Sequence, residues 1–137
     1  MVARLLDFAH GPLALPAKVR ARAMMLLADT LAVGVAGSTA PGADGVLAAA
    51  RGWGAGDDVP VLGRDVRLPR AGAAFVNGYQ IHCLEWDAVH EPAVVHAMSV
   101  VTAVVLSMAR GKDAQAALDS AVARGNQLLR RFEQASN

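Results

Sequence analysis

Apolar positions recur with a helical period through most of the chain, and the period breaks at glycine and proline. Residues 2–10 set Leu5, Leu6 and Ala9 on one side and stop at Gly11-Pro12, so a short helix is expected there. Pro16 suits the first turn of the next helix. Over residues 17–36, Val19, Ala23, Leu26, Leu27, Thr30, Leu31 and Val35 return at intervals that fit one face. Lys18, Arg20, Arg22 and Asp29 fall mostly elsewhere, and Gly37-Ser38-Thr39 breaks the run. Pro41 opens another helix, with Val46, Leu47, Ala50 and Trp53 expected to face inward and Gly52, Gly54 and Gly56 closing it.

The period changes over residues 59–68. Val59-Pro60-Val61-Leu62, Gly63-Arg64-Asp65 and Val66-Arg67-Leu68 predict a small β-hairpin. Pro60 allows its strand only an edge position. A lone hairpin is marginal in water, so this one is expected to lie on the helices. Pro69 starts a helix reaching about Leu84, with Phe75, Val76, Tyr79 and Cys83 at helical spacing. Gly78 within it costs about 1 kcal/mol against Ala, which suggests a close backbone approach. Residues 85–95 read as loop, and residues 97–109 as an apolar helix buried on most sides. Arg110-Gly111-Lys112 turns the chain. Asp113 then caps a last helix with Leu118, Ala121, Val122, Leu128, Leu129 and Phe132 on one face. The pattern predicts an all-α fold: one helical domain over residues 1–137, five or six helices in a bundle, and one short hairpin. Helices 17–36 and 97–109 are expected in its core.

Composition adds an expectation about partners. Apolar residues make up 54% of the chain and charged residues 18%, more apolar matter than 137 residues need for their own interior. A homo-oligomer or a missing part of the same protein would bury the excess. The net charge is +1 with Lys and Arg scattered, so no nucleic acid is expected. Residues 24–37 include Asp29, and residues 94–109 include His96 and fall short of the roughly 20 residues of a bilayer span, so no membrane is expected either. Residues 1–11 carry Arg4 and Asp7 and do not read as a signal peptide. A single Cys forms no internal disulfide, which fits a cytoplasmic location.

Candidate chemistry gathers in residues 77–99. Three of the four histidines (His82, His90, His96), the one Cys (Cys83) and the acids Glu85, Asp87 and Glu91 fall there, in an otherwise apolar chain. Such a gathering suits acid–base work, and it also suits a polar loop between two helices. His82 and Glu85 stand three apart at a helix end and share a face, as an ion pair or as an acid–base dyad. Asp87 and His90 have the same spacing in a loop, which fixes no geometry. His96 stands where the apolar helix begins. Its imidazole can donate to or accept from a substrate, and the free N–H groups of the first turn, at Ala97 and Met98, can hold a carboxylate. His82, Cys83, Glu85, Asp87, His90 and His96 are all possible metal ligands, but none follows the paired spacing of common zinc sites, so no metal is expected and a metal-binding helical protein is the third alternative. There is no glycine-rich phosphate loop and no nucleophile elbow.

The order of short motifs resembles the MmgE/PrpD family. It runs Leu27-Ala28-Asp29-Thr30-Leu31, Val35-Ala36-Gly37-Ser38, Val61-Leu62-Gly63, Arg67-Leu68-Pro69, Val76-Asn77-Gly78, His82, Glu85-Trp86-Asp87, His90-Glu91-Pro92-Ala93-Val94 and His96. The resemblance covers about residues 5–108. No single piece is specific, but the order and spacing together are. That family includes 2-methylcitrate dehydratase, cis-aconitate decarboxylase and iminodisuccinate epimerase. The resemblance implies a lyase or isomerase that moves a proton next to a carboxylate of a small polycarboxylate without a metal or other cofactor. It also implies a large helical domain, a smaller α+β lid, usually a homodimer, and a site between the two domains. Carried onto this chain, it places the catalytic acid at Glu85, the catalytic His at His96 and a second acid at Asp87; Glu85 and His96 are then expected as the acid–base groups, with Asp87 and His90 positioning them. Asn77, His82, Ala97 and Met98 are expected to bind substrate. The family's Asp-aromatic-Asp-Asp-Thr run is here Glu85-Trp86-Asp87-Ala88-Val89, which lacks one acid and the hydroxyl. Family members are longer, and the lid and later lysines would follow this chain. The expectation is therefore the N-terminal helical portion of such an enzyme, inactive alone. The alternative is a non-catalytic dimerisation module derived from one.

Overall fold

The computed structural model describes residues 14–108 and residue 134. The helices expected at residues 2–10 and from Asp113 lie outside the described residues. Within them are four α-helices, one two-stranded hairpin and one turn of 3-10 helix. These are α1 (Ala17–Gly37), α2 (Ala43–Arg51), β1 (Val59–Pro60), β2 (Arg67–Leu68), α3 (Arg70–His82), the 3-10 turn Glu91–Ala93 and α4 (Ala97–Met108). The fold is mostly helical, and the count of five or six helices is not reached among the described residues.

Local sequence explains where the elements start and stop. Pro16 and Pro69 hold extended backbone just before α1 and α3, where a missing N–H costs the helix nothing. Gly42 takes a left-handed conformation to turn the chain into α2. Asp44 in the first turn of α2 and Arg51 in its last complement the helix dipole. In the hairpin Val59 pairs with Leu68 and Pro60 with Arg67, and Val61 N–H donates to Val66 O at 2.9 Å. Arg67 ties the hairpin to the preceding loop by donating to the carbonyls of Asp57 and Asp58. Arg64 ties its tip to the helices through Ser38 O and the Asp44 carboxylate.

The organising helix is α3, which packs against the three other helices and both strands. Its Ala73 and Val76 join Leu47, Ala50, Val59, Val61 and Leu68 in one apolar cluster, which seats α2 and the hairpin. Its Ile81 joins Leu31, Leu62 and Leu106 in a second, which seats α1 and α4. Near that end α1 and α3 come together backbone to backbone. A Cβ added at Gly37 would lie 1.9 Å from Gln80 O. At Gly78, where sequence suggests a close approach, an added Cβ would meet Ser99 O and Ala103 Cβ at ordinary distances of 3.5 and 3.6 Å. The close approach belongs to Gly37.

Three expectations of burial are corrected. Helix α4 is not buried on most sides: Ser99, Thr102, Ala103, Leu106 and Ser107 face inward, while Val100, Val101, Val104, Val105 and Met108 are exposed. Only the C-terminal half of α1 enters the core, and Val19, Met24 and Met25 are exposed. Trp53 is exposed too, and its ring rests on Phe75 with centroids 4.8 Å apart. A helix uniform in Val and Ala carries no mark of which side will meet a neighbour, so periodicity could not choose the face.

Candidate functional site

The ends of α3 and α4 meet, and the loop between them folds back beneath both. Cys83 N–H caps α3 by donating to Tyr79 O, and Glu85 N–H donates to His82 O at 2.8 Å. Glu85 then takes φ 57° and Val94 φ 49°, both in the left-handed region. For Val94, β-branched, that conformation is strained. His90 and Val95 close the loop, with His90 N–H donating to Val95 O at 2.9 Å. The result carries the Asp87 side chain inward between His82, the last residue of α3, and His96, immediately before α4.

Asp87 is the centre of the site. Its side chain is fully buried, against 44% exposure for that of His82 and 28% for that of His96. Asp87 Oδ1 lies 3.1 Å from His82 Nδ1 and 3.1 Å from His96 Nδ1. The first contact is a hydrogen bond. A carboxylate only accepts, so in this bond His82 Nδ1 donates, and a ring with a single proton then has its lone pair on Nε2. The second contact is close enough but out of line, and His96 Nδ1 is buried without a hydrogen-bond partner. Asp87 Oδ2 is buried without one as well. The two imidazoles stand edge to face with centroids 4.7 Å apart. Glu85, with a mostly exposed side chain, reaches His82 Nε2 at 3.6 Å.

Of the residues singled out from sequence, the structure therefore brings together Glu85, His82, Asp87 and His96 in one run of contacts. His90 stands apart from it: its Nδ1 accepts from Ala93 N–H at 3.3 Å and caps the 3-10 turn. Ala97 and Met98 open α4 directly after His96, where first-turn N–H groups have no partner within the helix. Asn77 is placed elsewhere. It is wholly buried, accepts from Leu62 N–H at 2.9 Å and donates to Pro60 O at 3.0 Å, so its amide holds the hairpin to α3. The direct bond from His82 to Asp87 was not legible in sequence, because a spacing of five across a helix end fixes no direction. Gln80 on α3 and Thr102 on α4 were also missed, and each buries a side-chain oxygen without a partner. The available signal was a polar residue inside an apolar run.

Beside this cluster runs a groove of about 550 Å³ between α3 and α4, walled by Phe75, Gly78, Tyr79, Val100 and Val104. His82, Cys83 and Glu85 lie on its lining. No Lys or Arg among the described residues lines it. The groove is thus an apolar surface with the site at one edge, and it supplies no counter-charge to an anionic ligand. Burial pushes the Cys83 thiol above its ordinary 9.0, against a smaller downward pull from a backbone hydrogen bond. Its Sγ lies 3.7 Å from Gly37 O and 3.6 Å from Gln80 O.

The described residues form a helical domain with a buried carboxylate in contact with two imidazoles at abutting helix ends. Residues 6–135 match the family model of the MmgE/PrpD N-terminal domain. The chain belongs to the MmgE/PrpD family and carries its N-terminal domain. Neither a curated protein nor a solved structure matches the chain. No helix among the described residues is long and apolar enough to cross a membrane.

Proposed function

We propose that this domain supplies the acid–base half of a site that moves a proton next to a carboxylate of a small polycarboxylate. A dehydratase of the 2-methylcitrate type is the reaction closest to this reading. The observation that carries it is the single buried carboxylate of Asp87, which meets both His82 and His96 at 3.1 Å. Asp87 orients the His82 ring through its hydrogen bond and lies close enough to both rings to balance the charge that either gains as imidazolium. His82 Nε2, beside Glu85, is then a base, and His96 is the second ring available to return a proton. Glu85 stands at the mouth, where it can take a proton from His82 or from substrate. The first turn of α4 at Ala97 and Met98 offers N–H donors to a substrate carboxylate. His90 acts on the loop that carries Asp87 rather than on substrate.

The other half of the chemistry is electrostatic. Charge building up on an enolate-like intermediate needs preorganised donors or cations, usually the largest single contribution to catalysis. The apolar groove has none, so a lid domain or a second copy of the chain must bring them. The exposed valines of α4 support the same reading, because they offer an apolar face to whatever completes the protein. That face also favours the second reading, in which the domain only associates through α4 and catalyses nothing. A reducing, cytoplasmic setting suits the free Cys83.

The test is a titration of the purified chain with citrate and 2-methylcitrate in metal-free buffer, followed by histidine C2–H resonances in proton NMR. Two ring signals should move together and saturate, and Asp87→Asn should abolish the paired movement. Resonances that stay fixed at high citrate would remove the polycarboxylate reading and leave the association module.

A further inference from the structure

We propose that His82, Asp87 and His96 form a binding site for one divalent first-row transition cation of the zinc class. One donor atom from each residue lies within 4.8 Å of the other two. Two of the three separations are 3.1 Å. Donors at zinc bond lengths of 2.0–2.1 Å around a tetrahedral ion stand about 3.3 Å apart, so the cluster is close to a metal-sized cage. The third separation, within 4.8 Å, would close toward that value as the two rings turn onto the ion.

The second observation is what the protein leaves unsatisfied. Asp87 Oδ2 and His96 Nδ1 are both buried and both lack a hydrogen-bond partner. Buried polar atoms in that state cost about 1–3 kcal/mol each. They sit on the same two side chains that already face each other at 3.1 Å. A cation held by the Asp87 carboxylate and His96 Nδ1 gives that buried nitrogen a partner, and takes His82 Nδ1 as the third ligand once the ring proton has passed to Nε2. Two imidazoles and one carboxylate suit a zinc-class ion rather than calcium or magnesium, which call for oxygen ligands. Three protein ligands also leave a fourth position for water. The partly exposed rings of His82 and His96 give the ion a way in. The spacing 82–87–96 fits no familiar ligand motif, because the ligands come from two helix ends and the loop joining them.

Where the acid–base reading above holds, a bound cation takes up the nitrogens and the carboxylate that proton transfer uses, so the metal-bound form is a blocked state of the same site. The binding itself does not depend on that reading. The experiment is calorimetric titration of the full chain with Zn²⁺ in buffer free of citrate and chelator, repeated with Co²⁺ and its visible absorption. One Zn²⁺ per chain is expected, with Co²⁺ bands of a four- or five-coordinate ion. His96→Ala and the near-isosteric Asp87→Asn should each weaken Zn²⁺ at least about tenfold. Absence of stoichiometric binding overturns the proposal. So does binding that survives both substitutions unchanged, which would belong to other histidines. Should a variant fail to fold, the Co²⁺ spectrum of the unaltered chain decides: bands of a six-coordinate hydrated ion overturn it. Metal binding with no histidine response to citrate would remove the acid–base reading alone. A citrate response without metal binding would remove this proposal alone.

Discussion

Gly37 ends one helix and Gly78 lies inside another, and they differ in what surrounds them. Replacing Gly37 with Ala pushes a methyl group into Gln80 O, a backbone atom that cannot rotate away. The helices α1 and α3 must separate, and a loss of about 2–4 kcal/mol is expected in urea denaturation, at the upper end for overpacking. Gly78→Ala meets only ordinary contacts and gains up to about 1 kcal/mol of helix propensity, so it should be neutral or stabilising. Equal losses for both would show that α1 does not approach α3 as described. Cys83 supplies a pH dependence at the same scale. Its folded-state pKa is raised, chiefly by burial, so the folded chain keeps the thiol proton while the unfolded chain loses it. The stability this contributes is complete below the ordinary value of 9.0 and is lost as pH rises through it toward the raised one. Urea midpoints should therefore fall more steeply above pH ~9 for the unaltered chain than for Cys83→Ala. The same burial should make alkylation of Cys83 slow near neutral pH.

Among the elements, the hairpin is the one that cannot stand alone. Its strands are two residues each, and Pro60 has no N–H to give. It stays in place because Val59, Val61 and Leu68 enter the α2–α3 cluster and because Asn77 satisfies Leu62 N–H and Pro60 O. Asn77→Ala leaves those two groups without their partner, at about 1–3 kcal/mol for each that stays buried. Limited proteolysis should then cut within residues 59–68 faster, while α1, α3 and α4 keep their packing. Uniform destabilisation without selective cleavage would mean that Asn77 holds the whole fold rather than the hairpin. The site loop is a second dependent element. Left-handed Glu85 and Val94 flank the stretch that delivers Asp87, and His90 caps the 3-10 turn inside it.

For the whole molecule, two measurements separate catalysis from association. The purified chain is expected not to turn over citrate, 2-methylcitrate or cis-aconitate at an enzymic rate, because the groove beside the cluster offers no cation. Clear turnover that disappears in His96→Ala would mean that a second copy completes the site. Association should run through α4. Replacing exposed Val101 and Val105 together with Lys is expected to change stability little, since surface changes usually stay within about 0.5 kcal/mol each. The same pair should shift sedimentation toward monomer. Unchanged sedimentation would move the interface away from α4.

The sequence by itself determined the elements and the family. Pro16, Pro69 and the glycines after residue 51 punctuate the chain through local backbone sterics, which act wherever the chain lies. The ordered motifs from Leu27 to His96 pointed to the family whose N-terminal domain model matches residues 6–135. They also gathered the titratable residues in one stretch. Tertiary structure decided the rest. It made α3 the hub, turned the valines of α4 outward, set Trp53 on the surface against Phe75, and gave Asn77 to the hairpin. It also chose, among several histidines and acids, the set in which Asp87 meets His82 and His96. The reason is that a helix face or a loop carboxylate acquires its partner only when separate elements pack. That depends on which backbones can approach, as at Gly37 and Gln80, and spacing along one chain does not encode it.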